Sequence, residues 1–306
     1  MNRITLTLII SVLLACGAQS LDKSRKNNTT NLNNTLDNYW YQGKAEINRF
    51  ELNQVRYGEL RSGDAIMVFV TEDFLVKKQV KQESNTSEKS IPILKLNHIT
   101  KFKTGVYDYS MMNSVFSPIN SIGPIKTTFS AQEWCGHTWL QLNNVDGKFK
   151  VTGSSYFEKE ADKSFIMDEL LTEDGIWNLI RTNPNQIKEG EFQYLPSSAF
   201  LRLKHKEIKG YKTIVSKQVY MKEDMPGDNL MSLTLKYPEL NRTIQIIYGN
   251  KSPYQIAGWK ETSKSGYGQN AKELTTTARR THKIVEPYWN LNSNSDEKYR
   301  DLLGLE

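Results

Sequence analysis

Cysteine is almost missing from this chain. Cys16 and Cys135 are the only two in 306 residues, so the disulfide framework of small secreted scaffolds is excluded and the fold has to hold by burial. Histidine is equally sparse. His98, His137, His205 and His282 are scattered, with no His-x-His or His-Glu-x-x-His spacing, and Cys135 has no second cysteine at zinc spacing. No metal site and no cofactor are expected from that set. No apolar run approaches the roughly 20 residues of a membrane-spanning helix. No sign of charge dominates either. The formal +6 is spread among interspersed acids and bases, whereas nucleic-acid binding needs a clustered patch, so no nucleic-acid partner is expected. The pair Gly266 and Gly268 lacks the following helix that a phosphate-cradling loop requires.

What is present begins at the N-terminus. Arg3 is followed by an apolar run, Ile4 to Leu14, broken only by Thr5, Thr7 and Ser11, and then by Ala15 and Cys16. This order resembles a bacterial lipoprotein signal with its lipobox. The resemblance implies removal of residues 1–15 and acylation of Cys16 as the lipidation site, hence a membrane partner reached through that residue. Each buried CH₂ contributes about 0.8 kcal/mol, so several acyl chains hold where one does not. Residues 16–38 are polar and rich in Asn and Lys, which predicts a disordered tether. Gly17 stands where an inner-membrane lipoprotein often carries Asp, which implies a lipid-anchored, periplasm-facing place at the outer membrane.

From Tyr39 onward the chain reads as strands. Fifteen Tyr and abundant β-branched residues suit a pleated, half-buried surface. The segments 45–57, 93–103, 106–115, 125–131, 137–143 and 148–157 alternate or run apolar between turn signals, and Asp146-Gly147 marks a hairpin. Ala65 to Thr71 is almost continuously apolar, as expected of a strand buried on both faces. Ser62-Gly63-Asp64 reads as a turn before it. Met167, Leu170, Leu171, Ile176, Leu179 and Ile180 keep helical spacing, and Asn183-Pro184 stops it, so a helix is predicted near 168–182 with Asp174 as a candidate cap. Strands resume at 193–195, 199–205, 211–220, 230–237, 242–248, 254–262 and 274–286. Short connections dictate antiparallel pairing. The last segment, 293–306, reads as a short helix gripping through Leu302 and Leu303. The expected fold is mainly β over 39–292: one large curved antiparallel sheet or half-barrel, with one packed helix and a short C-terminal helix.

The one constellation that suggests chemistry is Gln132-Glu133-Trp134-Cys135-Gly136-His137. On a regular strand Cys135 and His137 share a face, and a histidine near a thiol makes a nucleophile. Against this, Gly136 favours a turn, no third orienting group is evident, and a lone cysteine is usually buried packing, with Trp134 as a core aromatic. The carboxylates Glu72, Asp73, Glu158 and Glu160 read as solvated charge at strand ends, and Arg279 to Lys283 as an exposed basic strand face. No catalytic residue is assigned.

The blocks Tyr41 to Ile47, Arg56 to Glu59, Phe69 to Phe74, Gln132 to Gly136 and Pro287 to Asn292 resemble a family of functionally unassigned envelope lipoproteins of Bacteroidota. Its members sometimes carry the label septum formation inhibitor Maf, but the Ser-x-Ser-Pro-Arg motif of Maf proteins does not occur here. The resemblance implies location and fold and transfers no active site. The expectation is a non-enzymatic, membrane-tethered envelope lipoprotein that binds an amphiphile or a partner protein. The alternatives are a hydrolase using Cys135 and His137, or glycan capture through exposed Tyr and Trp.

Overall fold

A computed structural model describes residues 36–305. The expected signal, Cys16 and most of the expected tether lie outside the described residues. One sheet accounts for every strand: β1 (Ala45–Arg56), β2 (Glu59–Leu75), β3 (Val80–Lys81), β4 (Ser90–Thr104), β5 (Tyr107–Pro118), β6 (Lys126–Glu133), β7 (Gly136–Val145), β8 (Lys148–Ser155), β9 (Lys163–Asp168), β10 (Leu171–Thr172), β11 (Gly190–Leu195), β12 (Tyr211–Val219), β13 (Leu230–Tyr237), β14 (Arg242–Gly249), β15 (Ile256–Ser265) and β16 (Lys272–Glu286). The order is β10-β11-β12-β13-β14-β15-β16-β1-β2-β4-β5-β6-β7-β8-β9, with β3 paired to β2. Every pairing is antiparallel except β10 with β11. The expected large curved antiparallel sheet is therefore what the chain forms.

Its curvature follows from connectivity. The sheet's two edges are β9 and β10, yet only residues 169 and 170 separate them. Three Cα steps span at most about 11 Å. The sheet must therefore curl until its edges nearly meet at that point, and it stays unclosed because they do not pair.

The concave side is filled by α1 (Glu173–Thr182), whose residues from Glu173 to Arg181 are all buried. Ile176, Trp177, Leu179 and Ile180 join one core with Phe50, Leu52, Met67, Phe69, Leu96, Leu233, Ile246 and Trp259, drawn from strands on both sides of the sheet. Burial of each such side chain contributes about 1.5–3 kcal/mol. The helix starts at 173, five residues later than its spacing predicts, because Met167 belongs to β9 and Thr172 is the cap. The Thr172 hydroxyl accepts from Gly175 N at 3.0 Å, and Asp174 sits inside the first turn rather than capping it. Three apolar positions were too few to separate period 3.6 from period 2.

Other boundaries differ for similar reasons. Residues 198–203 form α2 (Ser198–Leu203), not a strand: Ser197 caps it by accepting from Phe200 N at 3.2 Å. Ser62, Gly63 and Asp64 lie inside β2, where Gly63 is needed because a Cβ there would sit 2.2 Å from the Lys101 carbonyl oxygen. The C-terminal helix is the single turn α3 (Lys298–Leu302). Leu303 is buried, while Leu302 is 58% exposed, so only one of the two leucines grips. Residues 36–38 belong to the folded body. Leu36 packs on the core, and Asp37 caps the turn Asn38–Tyr41 and accepts from the Ser252 hydroxyl.

The strand from Ala65 to Thr71 is covered on both sides. Ala65, Met67 and Phe69 face α1. Val68 and Val70 meet Ala45, Ile47 and Leu303 on the convex side, where the C-terminal segment lies. Asp146 and Gly147 both take positive φ, as a two-residue hairpin turn demands.

Antiparallel order sorts the connections into two ends. Residues 36–44 and 287–292 lie at one end, with the loops that follow β2, β5, β7 and β12, and residues 300–305 run back over the convex face beside Arg49, Asp64 and Lys101. The turns β1–β2, β4–β5, β6–β7, β8–β9 and β15–β16, together with α2, lie at the other.

Candidate functional site

The Cys135 and His137 pair does not form a dyad. Trp134 and Cys135 are the two turn residues between β6 and β7, so Cys135 is not on a strand, and His137 is the second residue of β7, opposite Gln132. Cys135 is exposed rather than packed, and Trp134 is exposed rather than in the core. Cys135 N donates to Glu133 Oε2 at 2.6 Å. Hydrogen bonding to the Glu133 carboxylate, and then its charge, push the thiol above its ordinary pKa. A nucleophile needs the opposite shift.

Of the remaining sequence candidates, Asp73 and Glu158 are exposed, while Glu72, Glu160 and Arg280 are held by neighbours. Glu72 accepts from Lys95 Nζ at 2.6 Å. Glu160 meets Ser155 Oγ at 2.8 Å and His205 Nδ1 at 2.5 Å. Arg280 donates to Gln255 and to the Ile256 carbonyl, leaving Arg279, Thr281 and Lys283 as the exposed residues of the basic run. Among the described residues no group of three or more His, Cys, Asp or Glu is placed to hold a metal ion.

The polar chemistry lies inside. Every charged residue of α1 is buried and anchored. Arg181 makes a bidentate pair with Glu46 of β1, and its Nε donates to the Pro253 carbonyl at 2.8 Å. Tyr39 and Asn48 also donate to that carboxylate. Burial pushes Glu46 up, but the Arg181 charge and these hydrogen bonds outweigh it and hold the carboxyl at about 2. Glu173 accepts two bonds from Arg242, at 2.5 and 2.7 Å, and one from Tyr237 OH at 2.8 Å. Arg242 Nε reaches Glu261 at 2.8 Å.

Beside this network, towards the end opposite residues 36–44, is a cavity of about 90 Å³. Glu173, Asp174, Glu261, His98, Asn113 and Arg56 are among its lining, and Leu203 and Lys204 bound it on the solvent side. Its floor is three mutually perpendicular rings: His98 lies 5.7 Å from Trp177 and 5.2 Å from Trp259, which are 5.4 Å apart. Asp174 Oδ2 accepts from Ser198 N at 3.1 Å and Ser198 Oγ at 2.7 Å. Burial nonetheless raises its carboxyl to about 6. Burial lowers His98 to about 4. Three residues of the lining each carry a side-chain atom closed to solvent and without a hydrogen-bond partner among the described residues: Asn113 Oδ1, His98 Nε2 and Arg56 Nε.

None of these interior residues was singled out by motif. A signal did exist. Glu46 is in phase with Phe50 and Leu52, Arg242 with Ile244 and Ile246, and Glu261 with Trp259. Each is a charge at a position whose period-2 neighbours are core.

The fold and this interior define a class: a curved, unclosed antiparallel sheet around a buried helix, with a polar cavity towards one end. Comparison of the chain with protein-family models, with curated proteins and with solved structures finds no match.

Proposed function

We propose that this protein is a non-enzymatic envelope lipoprotein, tethered through Cys16 to the outer membrane, that binds its ligand at the end turned away from the tether. The location rests on the lipobox-like order of residues 3–16 and on the resemblance to Bacteroidota envelope lipoproteins. The observation that carries the binding reading is that the three most exposed aromatic side chains, Trp134, Tyr156 and Tyr267, 69–75% exposed, all stand on turns of the tether-distal end, beside the aliphatic Val106 and Leu60. At the tether end the exposed aromatics Tyr41, Tyr288 and Trp289 are less open, at 36–52%, and aliphatic side chains predominate, among them Val80, Ile122, Val145 and Met221. Tyrosine and tryptophan are the side chains enriched where proteins bind partners, since each combines an apolar body with a polar tip. Aliphatic side chains suit a neighbouring lipid surface.

The amphiphile version has less support. The concave side is occupied by α1, and the cavity beside it is small and polar. The hydrolase alternative has the exposed turn and raised thiol of Cys135 against it.

A photoreactive side chain at position 134 or 267, compared with one at 122 or 221 in living cells, tests the proposal. The distal positions are expected to give discrete adducts and the tether-end positions only lipid adducts. No adduct from the distal end, or partner adducts from the tether end alone, overturns it.

A further inference from the structure

One residue of the basic run Arg279 to Lys283 turns inward. The pairing of β1 with β16 shifts register between Arg49 and Phe50, so Thr281 is passed over and Arg280 lies opposite Phe50, a core residue of the concave side. Paired residues share a face, and Arg280 is accordingly half-buried while Arg279 is exposed. Its Nη1 donates to Gln255 Oε1 and to the Ile256 carbonyl, both at 3.1 Å. Its Nε and Nη2 have no partner among the described residues, and neither atom is sealed from solvent. These two groups lie on one edge of the planar guanidinium, the fork that grips two oxygens of an oxyanion.

The fork lines a pocket of about 270 Å³, three times the cavity beside α1. The pocket lies at the tether end, between the β12–β13 and β14–β15 connections, where Ser252 Oγ donates to Asp37 at 2.7 Å. Counter-charge is short there. Arg280 feels the Glu46 carboxylate, but Glu46 is already taken by the bidentate Arg181. Burial pushes the Arg280 guanidinium below its ordinary pKa, and Glu46 offsets that only in part. The lining adds one further cation, Lys251, and one carboxylate, Asp228. Two cations against one acid suit a single negative charge, and Asp228 resists a second. Shape narrows the choice. Asn229, Asn250 and Gln255 also line the pocket, and their side-chain NH₂ groups have no partner among the described residues. A planar carboxylate uses both its oxygens on the fork. A tetrahedral phosphate has further oxygens, directed away from the fork, for the amides and Lys251 to meet.

We infer that this pocket is a binding site for a singly charged phosphate group, gripped by the Nε–Nη2 edge of Arg280. The site lies at the other end of the molecule from the exposed aromatic turns, and it stands whether or not those turns bind a partner. The same group is presented by free phosphate and by the headgroup of a phospholipid whose chains stay in the bilayer, so soluble probes must tell the two sources apart.

The test is calorimetric titration of the detergent-extracted full chain at pH 6. The probes are inorganic phosphate, glycerophosphoglycerol, which is a phospholipid headgroup without acyl chains, and acetate. At least one phosphate probe is expected to bind saturably, and acetate at least tenfold more weakly. The tighter of the two phosphate probes names the source. Arg280→Gln and Arg280→Lys should each weaken binding at least tenfold, since lysine keeps the charge but not the fork. Asp228→Asn should tighten it about threefold, the weight of one exposed charge. Lys150→Gln, which removes a cation of β8 outside the pocket, leaves it unchanged. Should the Arg280 variants fail to fold by circular dichroism, the exposed Lys251→Glu and Asp228→Asn decide, by moving affinity in opposite directions. No phosphate binding, acetate bound as tightly, or phosphate binding that these pocket variants leave intact overturns the inference.

Discussion

Asp174 and His98 are two buried groups of the same cavity whose titrations oppose each other. Asp174 rises from 3.8 to about 6 in the fold, so the folded state holds its proton more tightly than the unfolded chain. Folding therefore loses stability as pH climbs from about 4 to about 6, and the loss amounts to about 3 kcal/mol above that. His98 falls from 6.5 to about 4, so the folded state holds its proton less tightly. Its cost appears as pH drops from 6.5 towards 4, again about 3 kcal/mol. Over the shared window the slopes have opposite sign and nearly cancel. Urea unfolding should therefore find Asp174→Asn more stable than the parent at pH 7.5, by up to about 3 kcal/mol, with stability that climbs between pH 4 and 6.5. His98→Gln should show the reverse slope. Parallel curves for parent and both variants would refute the two assignments. At Cys135 the expectation is simpler. Its alkylation should reach half-maximal rate at a higher pH than that of an unstructured cysteine, because the neighbouring Glu133 disfavours the thiolate.

At the scale of elements the decisive one is α1, a helix buried all round although it carries Glu173, Asp174, Asn178 and Arg181. Glu173, Asn178 and Arg181 are each matched from a different part of the sheet, and Asp174 from Ser198 of α2. Asn178 Nδ2 donates to the Leu94 carbonyl and the Ser117 hydroxyl, both at 3.0 Å, and so fixes the helix over β4 and β5. Breaking one partner strands the other. Glu46→Leu should cost roughly 3–5 kcal/mol, because Arg181 is left charged and buried, while Glu46→Leu combined with Arg181→Met should recover most of that loss. Equal cost for the single and the double variant would contradict the pairing. The same element shows how far the sequence was legible. Ile176, Leu179, Ile180 and the stop at Asn183-Pro184 located the helix, but its beginning was misread, since Met167 matches both a helical and a strand period. Residues 198–203 were misread outright. Six residues, with Phe200, Leu201 and Leu203 apolar, cannot separate the two periods, and it is the Ser197 cap that decides. Glu46, Arg242 and Glu261 escaped because a charge in a strand is ordinarily an outward one. Only the phase of its neighbours says otherwise.

For the whole molecule, the sheet was legible because it is built from local signals repeated many times: hairpin turns such as Asp146-Gly147, and one double-sided strand at Ala65 to Thr71. The cavity was not, since its lining joins strands from both flanks of the sheet, far apart in the chain, to α1 and α2. The double-sided burial makes a prediction about the C-terminal segment. Leu303, packed on Ile47, Val68 and Val70, should cost about 2–3 kcal/mol as Leu303→Ala, whereas Leu302→Ala stays within about 0.5 kcal/mol. Equal effects would show that the segment does not cover the sheet as described. The larger claim is that the curved sheet wraps a helix and leaves only a small polar space beside it. A sheet of this kind has no room for an acyl chain unless α1 leaves. Native mass spectrometry of the protein extracted from its own membrane tests that most directly. The account predicts covalent acylation at Cys16 as the only lipid, with no acyl ligand held noncovalently by residues 36–305. A lipid retained at one per chain, beyond the covalent anchor, would contradict it.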